Sequence, residues 1–344
     1  MKTYGLLLSA LALAIPAPAA FAATGDTLAG IKERGFLSCP GHNGSYPGMA
    51  EVDDQGRWRG FDIDLCRALA TAIFGTEEEH LRILPTSFAQ RWPMLQSGEL
   101  DVMIKSTTWT MSRDTDTGLQ FSNVYMMTPN FYAVHTESGI TSAMELDGGT
   151  VCVQAGTSLE RNIVEHAEAH SYELTIVPFE TTEAAKAAFL QQRCDAYMDN
   201  NVQLGAMRQN EIDDPDSVTV LPDMITGSPL AIAMLEGDAQ WVDINNWLLS
   251  ILLQADEAGV TSQNVDAMKA NPPAPAIAKI LGVTPGVGTV LGLSDDWAYN
   301  VIKAVGNYDE IWERNLGQGS VYGLERGINS LMRDGGVLYP LVMD

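Results

Sequence analysis

Residues 106–113 read STTWTMSR, so five of the seven positions from Ser106 to Ser112 carry hydroxyls and Arg113 follows at once. A carboxylate that leaves water needs a fixed cation and several donors in exchange. Arginine supplies a planar fork that meets both carboxylate oxygens together. Serine and threonine hydroxyls, with N–H groups freed where a strand gives way to a helix, satisfy the remaining lone pairs. An arginine buried for this purpose is costly until an anion arrives. Ser106, Thr108 and Arg113 are therefore a candidate carboxylate clamp. The plainer alternative is a Ser/Thr-rich surface turn beside a solvated arginine.

Other chemistry is thinner. His166 and His170 stand four apart in EHAEAH and could share a helix face, as paired metal ligands do. A third ligand is unclear, and Glu165 and Glu168 suit a solvated helix, so no metal is expected. The chain contains no G-x-S-x-G elbow, no H-E-x-x-H and no P-loop. PGVGTVLG has neither the spacing nor the place of a dinucleotide loop, and no cofactor is expected. Trp58, Trp92 and Trp109 could stack on a ligand, but core or rim packing is the simpler account.

Something rigid must hold the clamp. MLQSGELDVMIKS runs from a helix end through a turn into a short apolar strand, which places Ser106 at the strand's carboxyl end. AFLQQRCDAYMDNNVQL repeats that order further on. FLSCPGHNGS and TVCVQAGTS likewise each place a strand and a cysteine six residues before a serine. Two echoes in the same order predict two α/β lobes with mainly parallel, doubly wound sheets. Ligands of such sheets sit at the carboxyl ends of strands, where the polar clusters at 105–113 and 198–201 fall. Lobe one is expected over 23–135 and 230–344, and lobe two over 136–229. NFYAVHTE and SPLAIAMLEGD would carry the chain across and back. From Trp241 onward a mostly helical extension is expected, with NPPAPAIA and LGVTPGVGTVLGL as loops.

Composition narrows the partners. The 344 residues carry a formal charge of -24, with 44 acidic against 20 basic side chains. That balance repels nucleic acid and anionic membranes, and no basic stripe offsets it. Residues 1–22 have one charge, Lys2, then the apolar LLLSALALAI and a small-residue cleavage pattern ending APAAFA. This reads as a secretory signal peptide, with a mature chain from about Ala23. Four cysteines, Cys39, Cys66, Cys152 and Cys194, then read as disulfides with three possible connectivities. The local pairings Cys39–Cys66 and Cys152–Cys194 would each stabilise by about 3–4 kcal/mol in the chain-entropy account.

GFDIDLCRALA, LQSGELDVMIKSTTWTMSRD and VCVQAGTS together resemble family 3 extracellular solute-binding proteins, the receptors of polar amino-acid ABC transporters. STTWTMSRD, both cysteine pairs and the tail NVIKAVGNYDEIWERNLGQGS are closer still to the general L-amino-acid-binding subgroup. The resemblance covers nearly all of the chain beyond the signal. It implies a type II, Venus-flytrap receptor with two hinge strands, both disulfides within lobes, and a ligand trapped in the cleft. Arg113 would take the ligand α-carboxylate with help from Thr108, and Ser106 would face the α-amino group. Thr157 and Ser158 would close on the same carboxylate from lobe two. Tyr46 and Phe88 would line the side-chain pocket.

One departure stands out. The family places an acidic residue, which holds the ligand ammonium, five positions beyond the aspartate of RCD. Here that position is Asn200, with Asp199 one residue earlier, and on a regular strand such an offset turns the side chain away. Either the turn has slipped to bring Asp199 to the amine, or the amine meets a neutral amide. On the second account Asn200→Asp would tighten binding of ordinary amino acids. The expected function is a periplasmic, non-enzymatic and monomeric receptor that hands an amino acid or similar carboxylate to a membrane permease. The alternatives are a cyclohexadienyl-dehydratase-like enzyme using Lys105 as acid/base, and a receptor for a sensory partner.

Overall fold

A computed structural model describes residues 26–343; the expected signal peptide lies outside them. In lobe one, Leu37–Pro40 pairs in parallel with Leu81–Leu84. Residues 101–104 run beside them: the Asp101 N–H donates to Ser38 O (3.1 Å), and Met103 exchanges two hydrogen bonds with Ala233. Helix Phe61–Phe74 buries nearly every side chain. It enters through Gly60, at φ 125°, where a Cβ would stand 2.2 Å from Met49 O. Helix Ala239–Glu257 begins at Asp238, whose carboxylate accepts from the Trp241 N–H at 3.0 Å. Helices Trp297–Val305 and Tyr308–Asn315 pack on the same core through Trp297, Ile302, Tyr308 and Trp312.

The extension differs from expectation at two places. Helix Pro275–Ile280 starts inside the supposed Pro-rich loop, because a proline at the first helical position loses no hydrogen bond and its ring presets φ. Beyond Asn315 the chain has no α-helix among the described residues, only short 3-10 turns at Gly327–Asn329 and Met332–Asp334. Four glycines between 317 and 327 make a helix there unfavourable.

In lobe two, Thr150–Gln154 lies parallel to both Thr175–Phe179 and Ala196–Asn200. Helices Leu159–His170, Thr182–Leu190 and Asn201–Asn210 cover this sheet. Two antiparallel strands, Leu119–His135 and Thr226–Leu235, join the lobes. The first starts eleven residues before the NFYAVHTE segment that signalled it. Its ends belong to different cores: Leu119 and Phe121 pack with Leu95 and Met103, whereas Tyr132 and Val134 pack with Val151 and Ile163. Register shifts near Ala231 bend the pair where it enters lobe one. The disulfides are Cys39–Cys66 and Cys152–Cys194, separated by 27 and 42 residues, each tying a strand to its own lobe.

Candidate functional site

The apolar segment 102–104 ends at Lys105, and Ser106 turns the chain with φ at 39°, a left-handed conformation unusual for a side-chain-bearing residue. Asp62 holds that turn. Its carboxylate accepts from the Ser106 N–H (2.8 Å), the Ser106 hydroxyl (3.0 Å) and the Tyr125 hydroxyl (2.8 Å). Burial pushes Asp62 up to about 6, although those donors oppose the shift. The chain then returns to the second crossing strand, where the Ala231 N–H donates to Thr107 O and the Trp109 N–H to Pro229 O. Helix Met111–Thr115 follows, capped by Thr110, whose hydroxyl accepts from the Arg113 N–H. Arg113 donates to the Thr108 carbonyl at 2.7 Å and lies 5.5 Å from the Trp92 ring. Burial, then Arg161, pushes Arg113 down to about 10, which leaves it charged at neutral pH.

These contacts separate the hydroxyls that opened the sequence reading. The Thr107 hydroxyl donates to Lys105 O, Thr110 caps a helix, and the Ser112 hydroxyl meets Arg161. Only Ser106 and Thr108 of the five line the cleft.

Lobe two contributes strand ends that run into helices. The Thr157 hydroxyl donates to Gln154 O, and Ser158 precedes the first turn of Leu159–His170. Strand Ala196–Asn200 ends where Asn200 caps Asn201–Asn210, its side-chain oxygen accepting from the Gln203 N–H at 3.1 Å. The Asn200 amide nitrogen donates to the Tyr46 hydroxyl (2.9 Å) and to Asp199 (3.1 Å). Asp199 also accepts from the Tyr197 hydroxyl and the Asn200 N–H. Burial pushes Asp199 up to about 6 against those donors.

One cavity between the lobes is lined by all nine candidate residues: Tyr46, Phe88, Ser106, Thr108, Arg113, Thr157, Ser158, Asp199 and Asn200. Asp199 and Asn200 both face it because the strand ends there, so face alternation no longer applies. Asp199 is its one lining carboxylate. The cavity is small, about 30 Å³. The lobes meet directly around it. Thr108 and Ser158 hydroxyls stand 3.2 Å apart, Gln203 donates to Pro47 O at 2.9 Å, and the Ser45 N–H donates to Glu183.

The sequence reading missed Arg91, Thr128, Asn130, Leu159, Ser228 and Leu230, which line the same cavity. Asn130 donates to the Ser228 hydroxyl at 2.7 Å, bracing the crossing strands. Its signal was a polar residue inside an apolar strand. For Arg91 the signal was an arginine between two aromatics, Phe88 and Trp92. His42 was missed too. It stacks on Tyr46 with ring centroids 5.0 Å apart, and burial pushes it down to about 2, so it is neutral.

Other candidates lie elsewhere. Lys105 sits behind Phe88, 4.7 Å from the ring, and donates to Gly41 O; burial holds it well below the lysine range. His166 bonds the Tyr172 hydroxyl and His170 bonds His166 O, and no described group of three side chains could hold a metal ion. Trp109 stacks on Phe121, and Trp92 lies beneath Arg91 and Arg113. Trp58 packs over Gly41.

The comparisons with known proteins agree with this architecture. Residues 40–317 match the bacterial extracellular solute-binding proteins, family 3. The chain is 41% identical over 336 residues to the general L-amino acid-binding periplasmic protein AapJ of Rhizobium johnstonii, covering 97% of each. It is 35% identical to the glutamate/glutamine/aspartate/asparagine-binding protein BztA of Rhodobacter capsulatus, covering 95% of this chain and 96% of that one. An ABC-transporter periplasmic binding protein from Brucella ovis, solved with glutathione bound, superposes with a TM-score of 0.86 at 40% identity, over 92% of this chain and 98% of that chain. A more distant structure is an ancestral amino-acid-binding protein, a precursor of cyclohexadienyl dehydratase. It matches with a TM-score of 0.56 at 26% identity, over 68% of this chain and 95% of its own. With its two lobes, two crossing strands and interlobe cavity, the chain belongs to the family 3 bacterial extracellular solute-binding proteins.

Proposed function

We propose that this protein is the periplasmic receptor of an ABC transporter, capturing an amino acid or amino-acid-like carboxylate between its lobes for delivery to a membrane permease. The observation that carries the reading is the interlobe cavity itself. Arg113 and Thr108 from one lobe face Ser158 and Asp199 from the other, a cation and an anion spaced by hydroxyls. In this reading Arg113, Thr108, Thr157 and Ser158 take the α-carboxylate, and Asp199 with Ser106 takes the ammonium. Tyr46 and Phe88 line the side-chain end, while Asn200 positions Tyr46 and Asp199. A cavity of about 30 Å³ cannot admit an amino acid, so entry requires the lobes to part. The two crossing strands, Leu119–His135 and Thr226–Leu235, are the natural hinge. Signal-peptide cleavage and a monomeric receptor complete the proposal; the two disulfides fit an extracellular location.

Thermal unfolding against the common L-amino acids, their 2-keto acids and small dicarboxylates tests it. A ligand at 1,000 times its Kd stabilises by about 4 kcal/mol, a rise of several degrees for a chain of this size. Silence across the whole panel would overturn the reading. The enzymatic alternative has the dehydratase-precursor likeness in its favour. Against it, Lys105 is held behind Phe88 rather than in the cavity. Turnover of a dehydratable cyclic carboxylate would establish it.

A further inference from the structure

Two arginines line the cavity, and the carboxylate clamp uses one of them. The other, Arg91, is 1% exposed and opens helix Arg91–Gln96. Its guanidinium rests 4.9 Å from the Phe88 ring centroid and 4.5 Å from that of Trp92. One nitrogen donates across the cleft to Gly156 O at 3.0 Å. Its Nε is fully buried and meets no acceptor. Among the described residues no carboxylate pairs with Arg91. A buried guanidinium without a counterion is a strongly unfavourable arrangement that an anion relieves.

The charges that line the cavity are Arg91, Arg113 and Asp199. A zwitterion would satisfy Arg113 with its carboxylate and Asp199 with its ammonium, leaving Arg91 uncompensated. A ligand with one further negative charge would balance the set. Neither nearby anion forms an ion pair with Arg91: Asp62 holds the Ser106 turn, and Glu183 accepts from the Ser45 N–H through one oxygen and leaves the other without a partner. Arg91 also packs against Phe88, one of the two rings assigned to the side-chain end, which makes a second carboxylate on the ligand side chain the natural partner for its unmet donor.

We propose that Arg91 receives a second carboxylate on the ligand, so that the preferred ligand is an amino acid carrying an acidic side chain. The proposal rests on the amino-acid-receptor reading and sharpens it. Glutamate and glutamine differ in charge but hardly in shape, as do aspartate and asparagine, so these pairs isolate the interaction. Titration calorimetry of the signal-free protein at pH 7.5 is expected to show each acid binding at least about ten-fold tighter than its amide, the range of a hydrogen bond to a charged group. In Arg91→Gln the acid-to-amide ratio is expected to fall about ten-fold or more. Amides binding as tightly as acids in the wild type would overturn the proposal, as would a preference that survives in Arg91→Gln. If that variant fails to fold, the wild-type ratio decides by itself. Neutral amino acids binding without an acid preference would sink Arg91's role and leave the receptor reading standing; no binding by any amino acid would remove both.

Discussion

The two faces of the cleft differ in charge and in how they are held. Lobe one presents Arg113 and Arg91, with Lys105 behind Phe88, and organises itself: Asp62 fixes Ser106, and Arg113 donates to Thr108 O. Lobe two presents Asp199 and the first turn of helix Leu159–His170. Several of its polar groups find partners across the gap, Asn200 on Tyr46 and Gln203 on Pro47 O. Each face alone is a half-site of one sign. A ligand with charges of both signs is complementary to the pair, and its differential affinity for the shut arrangement is what shifts the lobes toward it. Lobe one, which needs no help to hold its clamp, is the face on which a carboxylate would first settle.

The strongest way to break this comparison is to remove the cation. Arg113→Ala is expected to weaken binding by more than about 100-fold, the range for truncating one partner of a buried charge pair. Ligand-free thermal unfolding should stay close to wild type, because Arg113 bonds only locally. Unchanged affinity by calorimetry would mean that the carboxylate binds elsewhere.

Removing the anion should cost somewhat less. Asp199→Asn is expected to weaken amino-acid binding by about 30-fold or more, while 2-keto acids, which lack the ammonium, should lose far less. Equal losses for both ligand types would place the ammonium on another group. A pH titration sharpens the same contrast. Burial raises Asp199 to about 6, and a ligand ammonium favours its ionised form. Affinity should therefore be level above pH 7 and fall by about ten-fold per unit below 6. Asp62, raised to a similar value, titrates in the same window; an acid limb that persists in Asp199→Asn would assign the effect to Asp62 and the Ser106 turn.

The smallest expected effect is Asn200→Asp. The sequence alone suggested a gain, through a restored ammonium partner. In the structure Asn200 caps a helix and bridges Asp199 to Tyr46. Aspartate would keep the cap but set a second carboxylate against the first, and like charges so close do not both ionise. Calorimetry should show a change within about three-fold; a larger gain would mean that position 200, not 199, faces the amine.

Much of this was legible before any coordinates. The strand-and-cysteine echoes, the amphipathic helices and the clamp motif are local patterns, and local periodicity determines which face of an element is buried. They were enough to predict two α/β lobes and to name Ser106, Thr108 and Arg113; the other six of the nine residues that line the cavity were implied by the family resemblance. Other features depend on contacts between distant segments. Which of five clustered hydroxyls faces the cleft depended on Asp62, Ser158 and Arg161, far away in the chain. Asp199 faces the cavity because its strand stops at Asn200, an end point that strand alternation cannot reveal. Arg91 drew no reading from the sequence; packing of Phe88, Trp92 and Gly156 around it is what excludes water. Sequence pattern determined the elements and their buried faces; only tertiary structure decided which polar groups were left facing one another across the cleft, since that depends on where separate segments end.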